Sequence, residues 1–227
     1  MRCLLLALIV FVIALPAVGQ DAPDPENPEG DNMTTPTTWT VRLDRPSDDV
    51  TIGSVQDSVD IWFVNMTPGW HITTGPAAIF HHPGLVSDGS HKVEATVHLF
   101  DPGDRLEAYG VFFGGSNLDG DDIAYDYFLL RNSGEYLIKR REGAKTAIIV
   151  DWTAHDVIEV FGPDTESTAT NALSVSITGP TADFAVNGTV VASVPASDLK
   201  TTGFAGLRIN HALNVHVSNV SVTPIID

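Results

Sequence analysis

Cysteine is almost absent. The single Cys3 stands just before an N-terminal apolar run, so the remainder of the 227-residue chain carries no thiol. That excludes thiol catalysis, thiolate metal sites and disulfide staples from the body of the protein. Basic residues are scarce as well: 12 against 29 acidic ones, for a formal net charge of -17. Such a surface repels a nucleic-acid backbone and an anionic membrane, and it favours neutral or cationic ligands, divalent cations included. There is no Gly-rich phosphate loop, no Gly-x-Ser-x-Gly elbow and no His-Glu-x-x-His pair. No stretch sustains a capped helical period.

What is present divides into three segments. Arg2, the apolar run Leu4 to Leu15 and the small-x-small sequence Ala17-Val18-Gly19 read as a secretory signal over residues 1–19. The run is short for a bilayer span, so stable membrane insertion after cleavage is not expected. Residues 20–38 have no periodicity and are rich in Asp, Glu, Pro and Thr, which reads as a disordered linker. Residues 39–227 are long enough for one domain with its own core. Export without disulfides suits a bacterial periplasm, outer surface or secreted protein.

The domain alternates apolar and polar residues with a period of two. Val93, Ala95, Val97 and Leu99 form one face of a strand, and Lys92, Glu94, Thr96 and His98 the other. Leu173, Val175 and Ile177 do the same, as do Leu207 with Ile209 and Val215 with Val217. Asn187-Gly188 is a hairpin turn between two such runs. Val217 and Val220 cannot share a regular face, which predicts a bulge near Ser218-Asn219. Trp39, Val41 and Leu43 alternate with Thr40, Arg42 and Asp44 as a short edge strand before a loop at Pro46, Asp48 and Asp49. Short strands also fit Val59–Val64, Trp70–Gly75, Ala77–Phe80, Leu106–Phe113, Ile123–Arg131, Glu135–Arg141, Thr146–Trp152 and Val157–Phe161, with His81-His82-Pro83-Gly84 ending the Ala77 strand. The expected fold is an all-β antiparallel sandwich.

The order of segments resembles the concanavalin A-like lectin/glucanase superfamily, most closely its laminin-G-like and 3-keto-disaccharide-hydrolase-like bacterial sandwiches. The residues that carry the likeness are Trp70-His71-Ile72 with Gly75, His91 to Leu99, Ala108 to Phe113, Tyr127-Phe128-Leu129 with Gly134, and Asn171 to Val175. Phe184 to Gly188, Gly203 to Leu207 and Asn219 to Val222 complete it. The resemblance implies a jelly roll and a carbohydrate-related role. The Glu-x-Asp-x-x-Glu strand motif of the β-glucanase members is missing here.

Four sets of residues are candidates for chemistry. Tyr125 and Tyr127 lie two apart on one strand face and offer a stacking platform for a sugar ring, with Trp70 a second. Arg208 and Asn210 lie on the outward face of a strand whose Leu207 and Ile209 point in, and with His211 they supply directional hydrogen bonds. Asn117, Asp119, Asp121 and Asp122 place hard oxygens in one loop and suggest calcium, although ordinary turn chemistry gives the same composition. Glu94 and Glu107, on strands read as neighbours, are the weak candidates for a glycosidase carboxylate pair. The histidines lack zinc-site spacing, and Lys139-Arg140-Arg141 reads as charge guarding an edge strand. The sequence therefore points to an exported non-catalytic domain recognising a carbohydrate or glycoconjugate. A glycoside-acting hydrolase and a structural envelope or protein-interaction domain stand as alternatives.

Overall fold

The computed structural model describes residues 33–226. The expected signal, 1–19, and the linker up to residue 32 lie outside the described residues. Fifteen strands follow one another: β1 (Thr40–Leu43), β2 (Ile52–Gly53), β3 (Ile61–Asn65), β4 (Trp70–Thr74), β5 (Ala78–Ser87), β6 (His91–Leu99), β7 (Ala108–Ser116) and β8 (Ala124–Arg131), then β9 (Glu135–Glu142), β10 (Lys145–Ala154), β11 (Ala169–Thr178), β12 (Thr181–Val186), β13 (Thr189–Pro195), β14 (Gly203–Ile209) and β15 (Asn214–Pro224). Two single-turn 3-10 helices are the only helical pieces among the described residues.

The strands make two sheets. The front sheet has seven, in the order β1-β5-β14-β7-β8-β9-β10, and the back sheet eight, β13-β12-β11-β6-β15-β4-β3-β2. Every pairing is antiparallel except the short β2 with β3. The core lies between the sheets. Val93, Ala95, Val97, Leu99, Leu173, Val175, Ile177, Leu207, Ile209, Val215 and Val217 all point into it, as their alternation requires. Asn187 and Gly188 turn the β12–β13 hairpin with both φ angles positive, at 50° and 80°. The pairing of β15 with β6 shifts register between Val217 and Asn219, where the break in alternation demands a bulge.

Three local expectations are corrected. His81-His82-Pro83-Gly84 does not end a strand; β5 continues to Ser87. Against β14, the residues from His82 to Leu85 arch out opposite Ala205 alone, so Pro83 needs no ladder bond. Val157–Phe161 is not a strand, because its groups are bound by side chains: Asn187 donates to the Val157 carbonyl, and Asn132 accepts from Phe161 N–H. Strand β9, which carries Lys139-Arg140-Arg141, is not an edge; it lies between β8 and β10. The last residues assigned to the linker are also held to the domain, with Asn65 N–H donating to the Thr34 carbonyl at 2.9 Å.

The front sheet has a second apolar layer on its outer face. Ile79, Ala108, Phe112, Tyr125, Tyr127, Leu129 and Leu137 gather there, and Leu118 and Ile123 fold over them from the loop after β7. This covered outer face positions the candidate site.

Candidate ligand-binding site

Tyr125 and Tyr127 share the outer face of β8, as their spacing requires, but not as an exposed platform. Tyr125 is wholly buried and Tyr127 is 4% exposed. The apolar strand pattern shows the shared face; it cannot show the loop that covers it. Arg208 reaches the same place from β14. Its guanidinium lies over the Tyr127 ring, 4.8 Å from the centroid, and donates to the Tyr125 hydroxyl at 2.8 Å.

The group that binds these side chains together is Asp44, just after β1. Arg208 Nη1 and Nη2 donate to its two carboxylate oxygens at 2.7 and 2.6 Å, a bidentate fork. Arg141, from β9, donates to the same carboxylate at 2.9 Å and to the Asp44 carbonyl at 2.9 Å. Its Nε donates to the Gly143 carbonyl. Burial alone would raise the Asp44 pKa; the Arg208 hydrogen bonds and charge, with Arg141 and His211, outweigh it and hold the carboxyl below its ordinary value. Burial pushes the Tyr127 hydroxyl up to about 12, against the opposing charge of Arg208, so it remains a neutral donor and acceptor at physiological pH. That hydroxyl has no hydrogen-bond partner among the described residues.

Above this floor opens a cavity of about 570 Å³, within the usual range for a small-molecule site. Arg42, Arg45, Asp44, Asp121, Tyr127, Arg141, Thr146 and Arg208 are among its walls. Sequence reasoning missed Asp44, Arg42, Arg45 and Arg141. Only Arg141 carries a local signal, the basic run, whose pattern reads as an edge strand although β9 lies inside the sheet. Asp126, between the two tyrosines in sequence, points to the opposite face and pairs with Arg140 at 2.7 and 2.8 Å.

The remaining candidates lie elsewhere. Trp70 is on the back sheet, packed against Trp39 in a tilted arrangement with ring centroids 4.9 Å apart, beside a smaller cleft of about 380 Å³. Asn210 and His211 follow the end of β14, with His211 exposed and 3.7 Å from Glu107. Glu94 and Glu107 do not form a pair. Strands β6 and β7 follow one another in the chain but belong to different sheets. Glu94 points outward from the back sheet, ion-paired with Lys92, while Glu107 stands at the end of the front sheet. The acidic loop is also divided: Asn117 turns its amide nitrogen to Asp122 at 2.8 Å, Asp119 lies toward His81, and Asp121 lines the cavity. Among the described residues no set of three His, Cys, Asp or Glu side chains is arranged to hold a metal.

No protein-family model matches the sequence, and no curated protein matches it. Solved structures do share its shape. Carbohydrate-binding module CBM66 from Bacillus subtilis superposes with a TM-score of 0.56 at 12% identity, covering 85% of this chain and 97% of that one. The Bacillus licheniformis β-glucanase gives 0.55 at 8% identity, over 84% and 94%. A Bacillus subtilis protein of unknown function with a galectin-like fold gives 0.53 at 13%, over 82% and 88%. At these identities the likeness is one of architecture: the chain has the jelly-roll sandwich fold that these structures share.

Proposed function

We propose that this protein is an exported, non-catalytic recognition domain whose ligand is a carbohydrate bound in the cavity over the front sheet. The observation that carries the reading is that cavity: about 570 Å³, floored by Tyr127 with its hydroxyl unengaged, on a clamp of Asp44 with two arginines. A rigid polar floor favours saccharide hydroxyls, which lose water on binding and need directional replacements. The fold adds a weaker argument by analogy, since two proteins that share it are named for carbohydrate binding and glucan chemistry. Export rests on residues 1–19 alone.

The glycoside-hydrolase alternative is disfavoured by the carboxylates. Glycoside hydrolysis ordinarily needs a proton donor and a second carboxylate facing one bond. Glu94 and Glu107 stand in or beside different sheets, and the oxygens of Asp44 are engaged by two guanidinium groups.

The test is a glycan array probed with the full chain beside Tyr127→Phe, which removes one hydroxyl and keeps the ring. Binding should fall about tenfold in the variant. Unchanged binding would move the site elsewhere, with the Trp39–Trp70 cleft next in line. No binding to any glycan at millimolar concentration would leave the structural-domain reading.

A further inference from the structure

The whole-chain charge favours neutral or cationic ligands, yet the cavity inverts it locally. Arg42, Arg45, Arg141 and Arg208 line it, against Asp44 and Asp121. Four of the chain's 12 basic residues therefore meet in one place, opposed there by two carboxylates, on a protein of net charge -17. Structure accounts for two of them: Arg141 and Arg208 share Asp44. One carboxylate for two guanidiniums leaves a positive excess on the floor.

The other two arginines have no such account. Arg42 spends one N–H on the adjacent Leu43 carbonyl at 2.8 Å. Arg45 is exposed and makes no hydrogen bond or ion pair among the described residues. Arg208 Nε is buried without an acceptor. The distant acidic surface does not cancel this concentration, because charges beyond about 8 Å are screened at physiological ionic strength while those in contact are not. Guanidinium forks match carboxylates in a plane, two bonds at a time, and Asp44 shows that geometry already formed in this cavity.

We infer that the saccharide recognised here is acidic: a glycan bearing the carboxylate of a uronic acid, with that group against Arg42 and Arg45 and sugar hydroxyls at Tyr127. This rests on the carbohydrate reading above and names the ligand class for the same site.

The experiment compares an oligogalacturonate with its methyl ester, which keeps the sugars and removes the charge. Titration of the full chain should show the acid form binding about tenfold more tightly, with the difference shrinking as salt is raised. Arg45→Gln alters an exposed side chain and should leave the melting temperature unchanged. It should weaken the acid form more than the ester. Equal binding of acid and ester, or binding of neutral glycans alone with the Tyr127→Phe loss intact, overturns the acidic ligand and leaves the carbohydrate site standing. No glycan binding at all removes both. Inorganic sulfate displacing the oligouronate at equal concentration would reduce the cavity to a general anion site and also overturn the inference.

Discussion

Asp44 and His216 respond to acid in different windows. Asp44 is held ionised below the ordinary carboxylate range, so its contribution is present above the unfolded value and is lost only as pH falls below about 4. His216 acts at milder pH. It stands on the outer face of the back sheet, paired across with His71 on β4 and His98 on β6, with ring centroids 6.2 and 5.5 Å away. His71 is bound to Asn214 Oδ1, and His98 bridges Thr170 and Ser218. His216 is fully buried; burial first, then the charges of His98 and His71, lower its pKa to about 4. An unfolded histidine titrates near 6.5, so between about 6.5 and 4 the unfolded chain binds protons that the fold refuses, and stability falls as pH falls. Going from pH 7 to 5 should cost about 2 kcal/mol from this residue, or about 5 °C in melting temperature. His216→Leu should flatten that dependence. An equal loss on acidification in variant and wild type would assign the response to other groups, such as His71 and His81, whose pKa values burial also lowers.

Strand β7 shows how closely the front sheet is built. A Cβ on Gly110 would stand 2.2 Å from the Phe128 carbonyl and 3.1 Å from Leu173, so Gly110→Ala must displace backbone and should cost about 3 kcal/mol. Gly162→Ala, with nothing within 4 Å of its Cβ, should stay within about 0.5 kcal/mol. Denaturant midpoints measure both, and a Gly110→Ala midpoint equal to wild type would show that β7 shifts freely against β8. The strands were legible in the sequence because a period of two follows directly from one buried face; Val93 to Leu99 and Leu173 to Ile177 needed nothing more. The β15 bulge was legible for the same reason. Which sheet a strand joins was not. Consecutive β6 and β7 read as a hairpin, and that reading brought Glu94 to Glu107. Nor was the site: Asp44 lies 97 residues from Arg141 and 164 from Arg208, and no local pattern encodes an ion pair at that separation. The tyrosine spacing showed a shared face, but its covering by Leu118 and Ile123 is a tertiary event.

At the scale of the molecule, salt should act in opposite directions on folding and on binding. A net charge of -17 makes the compact state repel itself, and added salt screens that repulsion. The opposing contribution comes from ion pairs that salt weakens. Those most exposed, such as Lys200 with Glu142 and Lys92 with Glu94, each contribute little. The clamps of Asp44 with Arg208 and Asp126 with Arg140 are largely buried on at least one side and are screened far less. Repulsion should therefore dominate, and the melting temperature should rise between about 0.02 and 0.5 M sodium chloride, a range over which the Debye length falls well below the spacing of most surface charges. Over the same range the affinity for an acidic oligosaccharide should fall, because the contacts at Arg42 and Arg45 are at the surface. Thermal melts with and without ligand separate the two effects: the melting temperature of the unliganded chain climbs with salt, while the ligand-induced increment shrinks. A melting temperature that drops with salt would mean that the ion pairs, not the net charge, govern the electrostatics of this sandwich.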